Sequence, residues 1–122
     1  MVTREAIDAA LTAHAQWKDR IEASVASRRS DFKPAVVAMD DACDFGRWMH
    51  TLRGDDILTE QYRTVKALHA QFHKAAAHVL TMALAGNGAD AMTELAPGGD
   101  YHRIAADLVL AMTRWKEMIN TP

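Results

Sequence analysis

The sequence predicts an all-α protein, a four-helix-type bundle with a short second helix that carries the cysteine. Apolar residues recur at helical spacing along most of the chain, and residues that start and stop helices separate the periodic segments. No segment bounded by turns alternates polar and apolar residues as a strand would. Amphipathic helices bury their apolar faces against one another, so a bundle is the expected architecture. With 122 residues, 49% of them hydrophobic and 25% charged, we expect one domain over residues 1–122.

The first helix is predicted to begin at Thr3, whose hydroxyl can cap it, and to end in the polar run 27–31 before Pro34. Its apolar face has a period near 3.6 residues and reads Ile7, Leu11, His14, Trp17 or Lys18, Ile21 and Val25. The second helix is predicted to be short and to be capped by Asp40 or Asp41. It carries Cys43, Phe45, Trp48, Met49 and Leu52.

A long third helix is predicted from about Thr59 to Ala85, between the loop at 54–56 and the stop signal Gly86-Asn87-Gly88. One face of this helix reads Tyr62, Val65, His69, Phe72, Ala76, Val79 and Ala83. A short helical segment, Ala89–Leu95, leads to Pro97-Gly98-Gly99. The final helix presents Tyr101, Ile104, Leu108, Met112 (or Ala111), Trp115 and Ile119 at helical spacing.

Composition excludes several classes of function. The net charge of −2 provides no basic field for nucleic acid and no polybasic patch for a membrane surface. The longest apolar stretch, around residues 75–86, is too short to span a bilayer, and the N-terminus has no apolar signal region. A single cysteine excludes an intramolecular disulfide, which fits a reducing compartment. We therefore expect a cytoplasmic protein.

Four residues of metal-ligand type, His14, Cys43, His69 and His73, fall on three of the predicted helices. The spacing of His69 and His73 places both imidazoles on one helix face, about one turn apart. One further histidine and one thiolate would complete a tetrahedral zinc site. A lone histidine on an apolar face is more often a hydrogen-bonded core residue, but each unmet donor or acceptor of a buried imidazole costs about 1–3 kcal/mol. The spacing alone leaves both interpretations open.

Three motifs carry a family resemblance: His14-Ala15-Gln16-Trp17, Cys43-Asp44-Phe45-Gly46-Arg47-Trp48, and His69-Ala70-Gln71-Phe72-His73. Together they resemble the chemoreceptor zinc-binding (CZB) domain of bacteria, with its histidine near an aromatic, its Cys-x-hydrophobic-Gly-x-hydrophobic box and its His-x-x-x-His pair. The resemblance covers nearly the whole chain and includes Asp40, Phe72 and Gly99-Asp100-Tyr101. One departure is that the aromatic follows the first histidine at the third position rather than the second.

The resemblance implies that one zinc ion is held by three histidines and one cysteine, His14, Cys43, His69 and His73. Four protein ligands leave no position for a reactive water, so we expect a sensory role and no enzyme activity. The resemblance also implies that Phe72, Trp17 and Trp48 form an apolar shell and that Gly46 lets a neighbouring helix approach. Asp40 could cap a helix or orient a ligand.

Domains of this family regulate a methyl-accepting chemotaxis region or a diguanylate cyclase and are commonly dimeric. The resemblance therefore implies a homodimeric, stand-alone sensory domain that signals through a partner protein. The stimulus could be zinc or an oxidant, since a cysteine ligand is open to oxidation.

The alternative functions are a di-iron or hemerythrin-like helical bundle, a metal-free adaptor and a zinc hydrolase. A di-iron bundle needs Glu-x-x-His motifs, and Glu60 and Glu94 have no histidine three residues later. A hemerythrin-like site needs bridging carboxylates on faces that are apolar here. A zinc hydrolase needs a glutamate beside the histidine pair, and a metal-free adaptor would leave the thiol as its one reactive group. The remaining histidines, His50, His78 and His102, are predicted to lie at the surface or to be partly buried.

Overall fold

The structure is a computed structural model that describes residues 2–30 and 32–119; Asp31, predicted in the polar run after the first helix, lies outside this part. The described residues form six α-helices and no strand, which confirms the predicted all-α bundle. The helices are α1 (Arg4–Ser27), α2 (Pro34–Val37), α3 (Asp44–Thr51), α4 (Glu60–Leu84), α5 (Gly88–Leu95) and α6 (Asp100–Met118). Two 3-10 turns, Asp40–Ala42 and Gly54–Ile57, precede α3 and α4.

A threonine hydroxyl caps the start of α1, as predicted, and a second threonine caps the start of α4. The Thr3 hydroxyl accepts a hydrogen bond from the Ala6 amide at 3.2 Å, and that of Thr59 accepts one from the Tyr62 amide at 3.1 Å. These bonds satisfy amides that have no partner within the helix. The first and third predicted helices therefore match α1 and α4 closely.

The core lies where α4 packs against α1 and α6. The largest fully buried side chains on these helices include Ile7, Ile21, Phe72, Leu80, Leu108 and Met112. The shorter α3 joins this core through Phe45 and Met49. No helix in the described ranges is both long enough and apolar enough to cross a membrane.

The prediction for the second helix was wrong in one respect, because Cys43 does not lie within it. Asp40 and Asp41 belong to a 3-10 turn, and Cys43 has extended backbone angles (φ −104°, ψ 158°) as the N-cap residue of α3. The carbonyl of Asp40 lies so close to Gly46 that a Cβ there would be 1.7 Å from its oxygen. The turn folds over the start of α3, so Gly46 accommodates this turn and not a neighbouring helix.

A second difference is α2, where the sequence predicted a break at Pro34 and no further helix. Pro34 occupies the first turn of α2, where its missing N–H costs nothing and its fixed φ favours a helix. The segment packs against α4 and buries Val37. This placement brings the Val37 carbonyl to the predicted site.

Candidate metal centre

The four predicted ligands come together from three parts of the chain. His14 lies on α1, Cys43 precedes α3, and His69 and His73 lie on α4. Their potential ligand atoms all lie within 4.8 Å of one another. No other group of three or more potential ligands of this kind occurs in the described part of the chain.

The Nε2 atom of His69 lies at the centre of the cluster. It is 3.1 Å from His14 Nε2, 3.0 Å from His73 Nε2 and 3.3 Å from Cys43 Sγ. A neutral Nε2 offers one proton or one lone pair, so it cannot make hydrogen bonds to all three neighbours. In a tetrahedral zinc site, two nitrogens lie about 3.3 Å apart and nitrogen and sulfur about 3.6 Å apart. The donor set and its spacing therefore fit a single zinc ion better than a network of hydrogen bonds.

Burial keeps the three imidazoles uncharged. It lowers the pKa of His14 to about 4 and that of His69 to about 3, and in both cases the nearby His73 adds to the effect. Burial also lowers the pKa of His73, although the Val37 carbonyl opposes this change. Near neutral pH all three side chains are in the form that binds a metal ion.

A backbone carbonyl orients one of the imidazoles. The Nδ1 atom of His73 donates a hydrogen bond to the Val37 oxygen at 2.9 Å, so Nε2 is the unprotonated nitrogen that faces the cluster. The sequence did not reveal this partner, because a carbonyl has no side-chain signature. His14 is different, since its buried Nδ1 has no hydrogen-bond partner among the described residues.

The cysteine is the least buried member of the cluster. Burial raises the pKa of its thiol, while the Gly46 amide and the Arg47 charge act in the opposite direction. The Cys43 Sγ accepts from the Gly46 amide at 3.3 Å and lies 3.5 Å from the Asp40 carbonyl oxygen. Asp40 therefore contacts the thiol through its main chain and does not cap α3. Zinc would convert the thiol to a thiolate.

The aromatic shell differs in part from the one that the resemblance implied. Phe72 is a member, with its ring centroid 5.2 Å from that of His14. The other direct contact comes from Phe45, whose centroid lies 5.1 Å from that of His69. Trp17 packs instead on Phe32, and Trp48 stacks on Phe45 from outside. Phe45 could have been anticipated, because it is the hydrophobic position of the cysteine box.

The other three histidines, His50, His78 and His102, are exposed and take no part in the cluster. This agrees with their predicted surface positions.

A family model described as the chemoreceptor zinc-binding domain matches residues 14–80, more than half of the chain. The chain belongs to the chemoreceptor zinc-binding domain family. The matched span of this CZB domain begins at His14 and includes Cys43, His69 and His73, so the family match covers all four residues of the cluster. The family is a sensory zinc-binding family and not a known enzyme family. No curated protein and no solved structure matches this chain.

Proposed function

We propose that His14, Cys43, His69 and His73 hold one zinc ion in a closed tetrahedral site, and that the domain senses zinc or an oxidant and signals through a partner. The observation that carries this proposal is the convergence of the four ligand atoms within 4.8 Å inside the matched CZB span. Four protein ligands leave no open position for a reactive water, which argues against catalysis.

The composition of the cluster argues against the iron alternatives. Di-iron and hemerythrin-like sites need bridging carboxylates, and within the described residues the cluster contains three imidazoles, one thiol and no carboxylate. A thiolate with three imidazoles is a donor set that suits zinc.

The accessibility of Cys43 supports its role as the sensitive ligand. Its side chain is partly exposed while the three histidines are buried, and it lines a groove of about 530 Å³ that also reaches His14 and Trp48. A peroxide oxidises a thiolate by transferring one oxygen to the sulfur and releasing hydroxide. The resulting sulfenic acid is a poorer ligand, so oxidation would leave three of the four proposed ligands.

The position of Cys43 at the N-terminus of α3 links the site to a short helix. The thiol is a side-chain cap of this helix, because it accepts from the Gly46 amide. Loss of the cysteine from the site would free the segment Asp40–Thr51 from the buried histidines of α4. We propose that a partner reads this change in α3, as a two-state element biased by a local chemical event.

The remaining parts of the proposal rest on the family relationship. We propose that the whole chain forms one sensory domain, that it acts in the cytoplasm as a homodimer, and that its output is a chemotaxis protein or a diguanylate cyclase. Depletion of zinc is the alternative stimulus, and it would release the same helix.

Elemental analysis and hydrogen exchange test the proposal together. Protein purified without chelator should contain about one zinc per chain. Amide protection at residues 41–52 should then fall both after removal of zinc and after mild peroxide treatment, while that of the α4 core is largely kept after peroxide. Iron or no metal would refute the zinc site. Identical exchange of this segment in all three states would show that zinc is a static structural element.

A further inference from the structure

A second site lies between α1 and α6, where a cavity of about 230 Å³ opens beside His14. The residues that α1 contributes, Leu11, His14, Ala15 and Lys18, share one helix face. The buried part of the wall is formed chiefly by Phe72, Leu95, Leu108 and Met112. Small side chains explain the space, since Ala15 and Ala105 stand where larger residues would fill the gap between the two helices.

The size and lining of the cavity suit a small apolar group. A buried cavity of about 150 Å³ lined by aliphatic and aromatic side chains is enough to bind benzene. The present cavity is larger, and its inner wall is aliphatic and aromatic. Small-molecule sites are typically apolar pockets with a few polar groups that set orientation.

The polar residues of the lining form two groups, since His14 and Tyr101 are buried in the wall whereas the other two lie towards solvent. Lys18 and His102 are exposed members of the lining, so they mark the mouth of the cavity. No acidic residue of the described ranges lines it. The Lys18 ammonium is 3.9 Å from the Glu22 carboxylate, but this pair is exposed and therefore weak. The mouth thus favours an anion above an apolar interior.

We propose that this cavity binds a small monocarboxylate with an apolar body of about six to eight carbons. The apolar body lies against Leu108 and Met112, and the carboxylate lies near Lys18 at the mouth. The ligand would contact the imidazole of His14, which belongs to both the cavity and the metal cluster. The domain would then have a second input, distinct from the proposed zinc site.

The first test uses octanoate and the zinc-loaded full-length protein with ¹³C-labelled methionine methyl groups. Met112 lines the cavity, whereas Met49 is equally buried but does not. Octanoate should shift the Met112 methyl signal saturably and leave that of Met49 unchanged. Equal shifts of the two signals, or no saturable shift at Met112, would overturn the proposal.

One pair of variants locates the site, and a third variant tests its chemistry. Ala105→Phe should fill the cavity and abolish octanoate binding, whereas Ala106→Phe on the exposed side of α6 should not. Circular dichroism and zinc content show that each variant is folded. Lys18→Met should weaken octanoate binding about fivefold at low salt and leave 1-octanol binding unchanged. Wild-type binding by Ala105→Phe would refute the cavity as the site, and equal effects of Lys18→Met on acid and alcohol would refute recognition of the carboxylate.

Discussion

The imidazole of His73 donates a hydrogen bond from Nδ1 to the main-chain carbonyl of Val37, at a distance of 2.9 Å. This bond connects the short helix α2 to α4 and selects the tautomer of a proposed zinc ligand. Val37 is itself buried, so the carbonyl is held in place by packing. The segment that precedes Cys43 therefore contributes to the site although none of its side chains enters it.

The tautomer of His73 is the first prediction. Nitrogen NMR of the zinc-loaded protein should show a protonated Nδ1 and a metal-bound Nε2 at His73. The reason is that Nδ1 donates to the Val37 carbonyl, whereas Nε2 faces His69. Exposed His78 is the internal control and should show no metal-bound nitrogen. A protonated Nε2 at His73 would contradict the arrangement.

Removal of one histidine should release the metal. His69→Ala deletes the central nitrogen of the cluster, and zinc affinity should fall by more than about a hundredfold. Even the loss of a residue that only hydrogen-bonds to a metal ligand typically lowers metal affinity by about 10–100-fold. Competition with a chromogenic chelator measures this affinity. The matched variant His78→Ala lies on the same helix but is exposed and should bind zinc as the parent does. If both variants lose zinc equally, the proposed ligand set is wrong.

The pH dependence of zinc binding should reflect the cysteine and not the histidines. Burial holds the pKa of His14 near 4 and that of His69 near 3, so both are already neutral above about pH 5.5. The Cys43 thiol has a raised pKa and is protonated there, so each zinc should displace about one proton between about pH 5.5 and 7.5. The affinity should rise about tenfold per pH unit over this range.

Calorimetry in buffers of different ionisation enthalpy counts these protons. Imidazoles with ordinary pKa values would release nearly three further protons at about pH 5.5, and that count would refute their burial in the zinc-free state.

The lowered pKa values of the histidines also affect the free energy of unfolding of the zinc-free protein. A histidine whose pKa is lower in the folded state binds its proton more readily when unfolded, so its contribution is full above about pH 6.5 and is lost as the pH falls towards about 4. Zinc-free protein should therefore lose up to about 1.4 kcal/mol per pH unit for each of His14 and His69 within this window, and the lowered pKa of His73 acts in the same direction. Urea unfolding at several pH values measures the slope. A flat profile would contradict the burial of these imidazoles.

Substitution of the cysteine should separate its two roles. Cys43→Ser keeps an acceptor for the Gly46 amide, and serine is a good N-cap residue, whereas Cys43→Ala removes the cap. Both variants should bind zinc far more weakly than the parent. In the zinc-free state the serine variant should be more stable than the alanine variant by about 1 kcal/mol, as measured by urea unfolding. Equal stabilities would show that the thiol does not cap α3.

Gly46 should tolerate no side chain. Alanine normally favours a helix over glycine, but a Cβ at Gly46 would lie 1.7 Å from the Asp40 carbonyl oxygen. Gly46→Ala should therefore destabilise the protein by about 2–3 kcal/mol and weaken zinc binding through displacement of Cys43. The control is Gly54→Ala, where φ is +64° and no atom lies within 4 Å, so the cost should be about 1 kcal/mol with zinc binding unchanged. A neutral Gly46→Ala would contradict the packing of the turn on α3.

Much of the fold could be predicted because its signals are local. Apolar periodicity indicated α1 and α4, and the Thr3 hydroxyl indicated the start of α1, because these signals act within one or two turns and need no knowledge of the rest of the chain. The four metal-ligand residues were also visible, since residue type and helical spacing are properties of the sequence itself. Their position towards the core was predicted from the apolar residues beside them on each helix.

Tertiary structure decided how those residues are held. Cys43 is the N-cap residue of α3, and the preceding turn folds so that the Asp40 carbonyl packs on Gly46, a contact that helix propensities do not specify. The Val37 carbonyl reaches His73 only because α2 packs on α4. The low pKa values of the imidazoles likewise depend on burial by the assembled helices. Side-chain identity determined which atoms could bind a metal, whereas backbone contacts between distant segments and exclusion of water determined their orientation and charge.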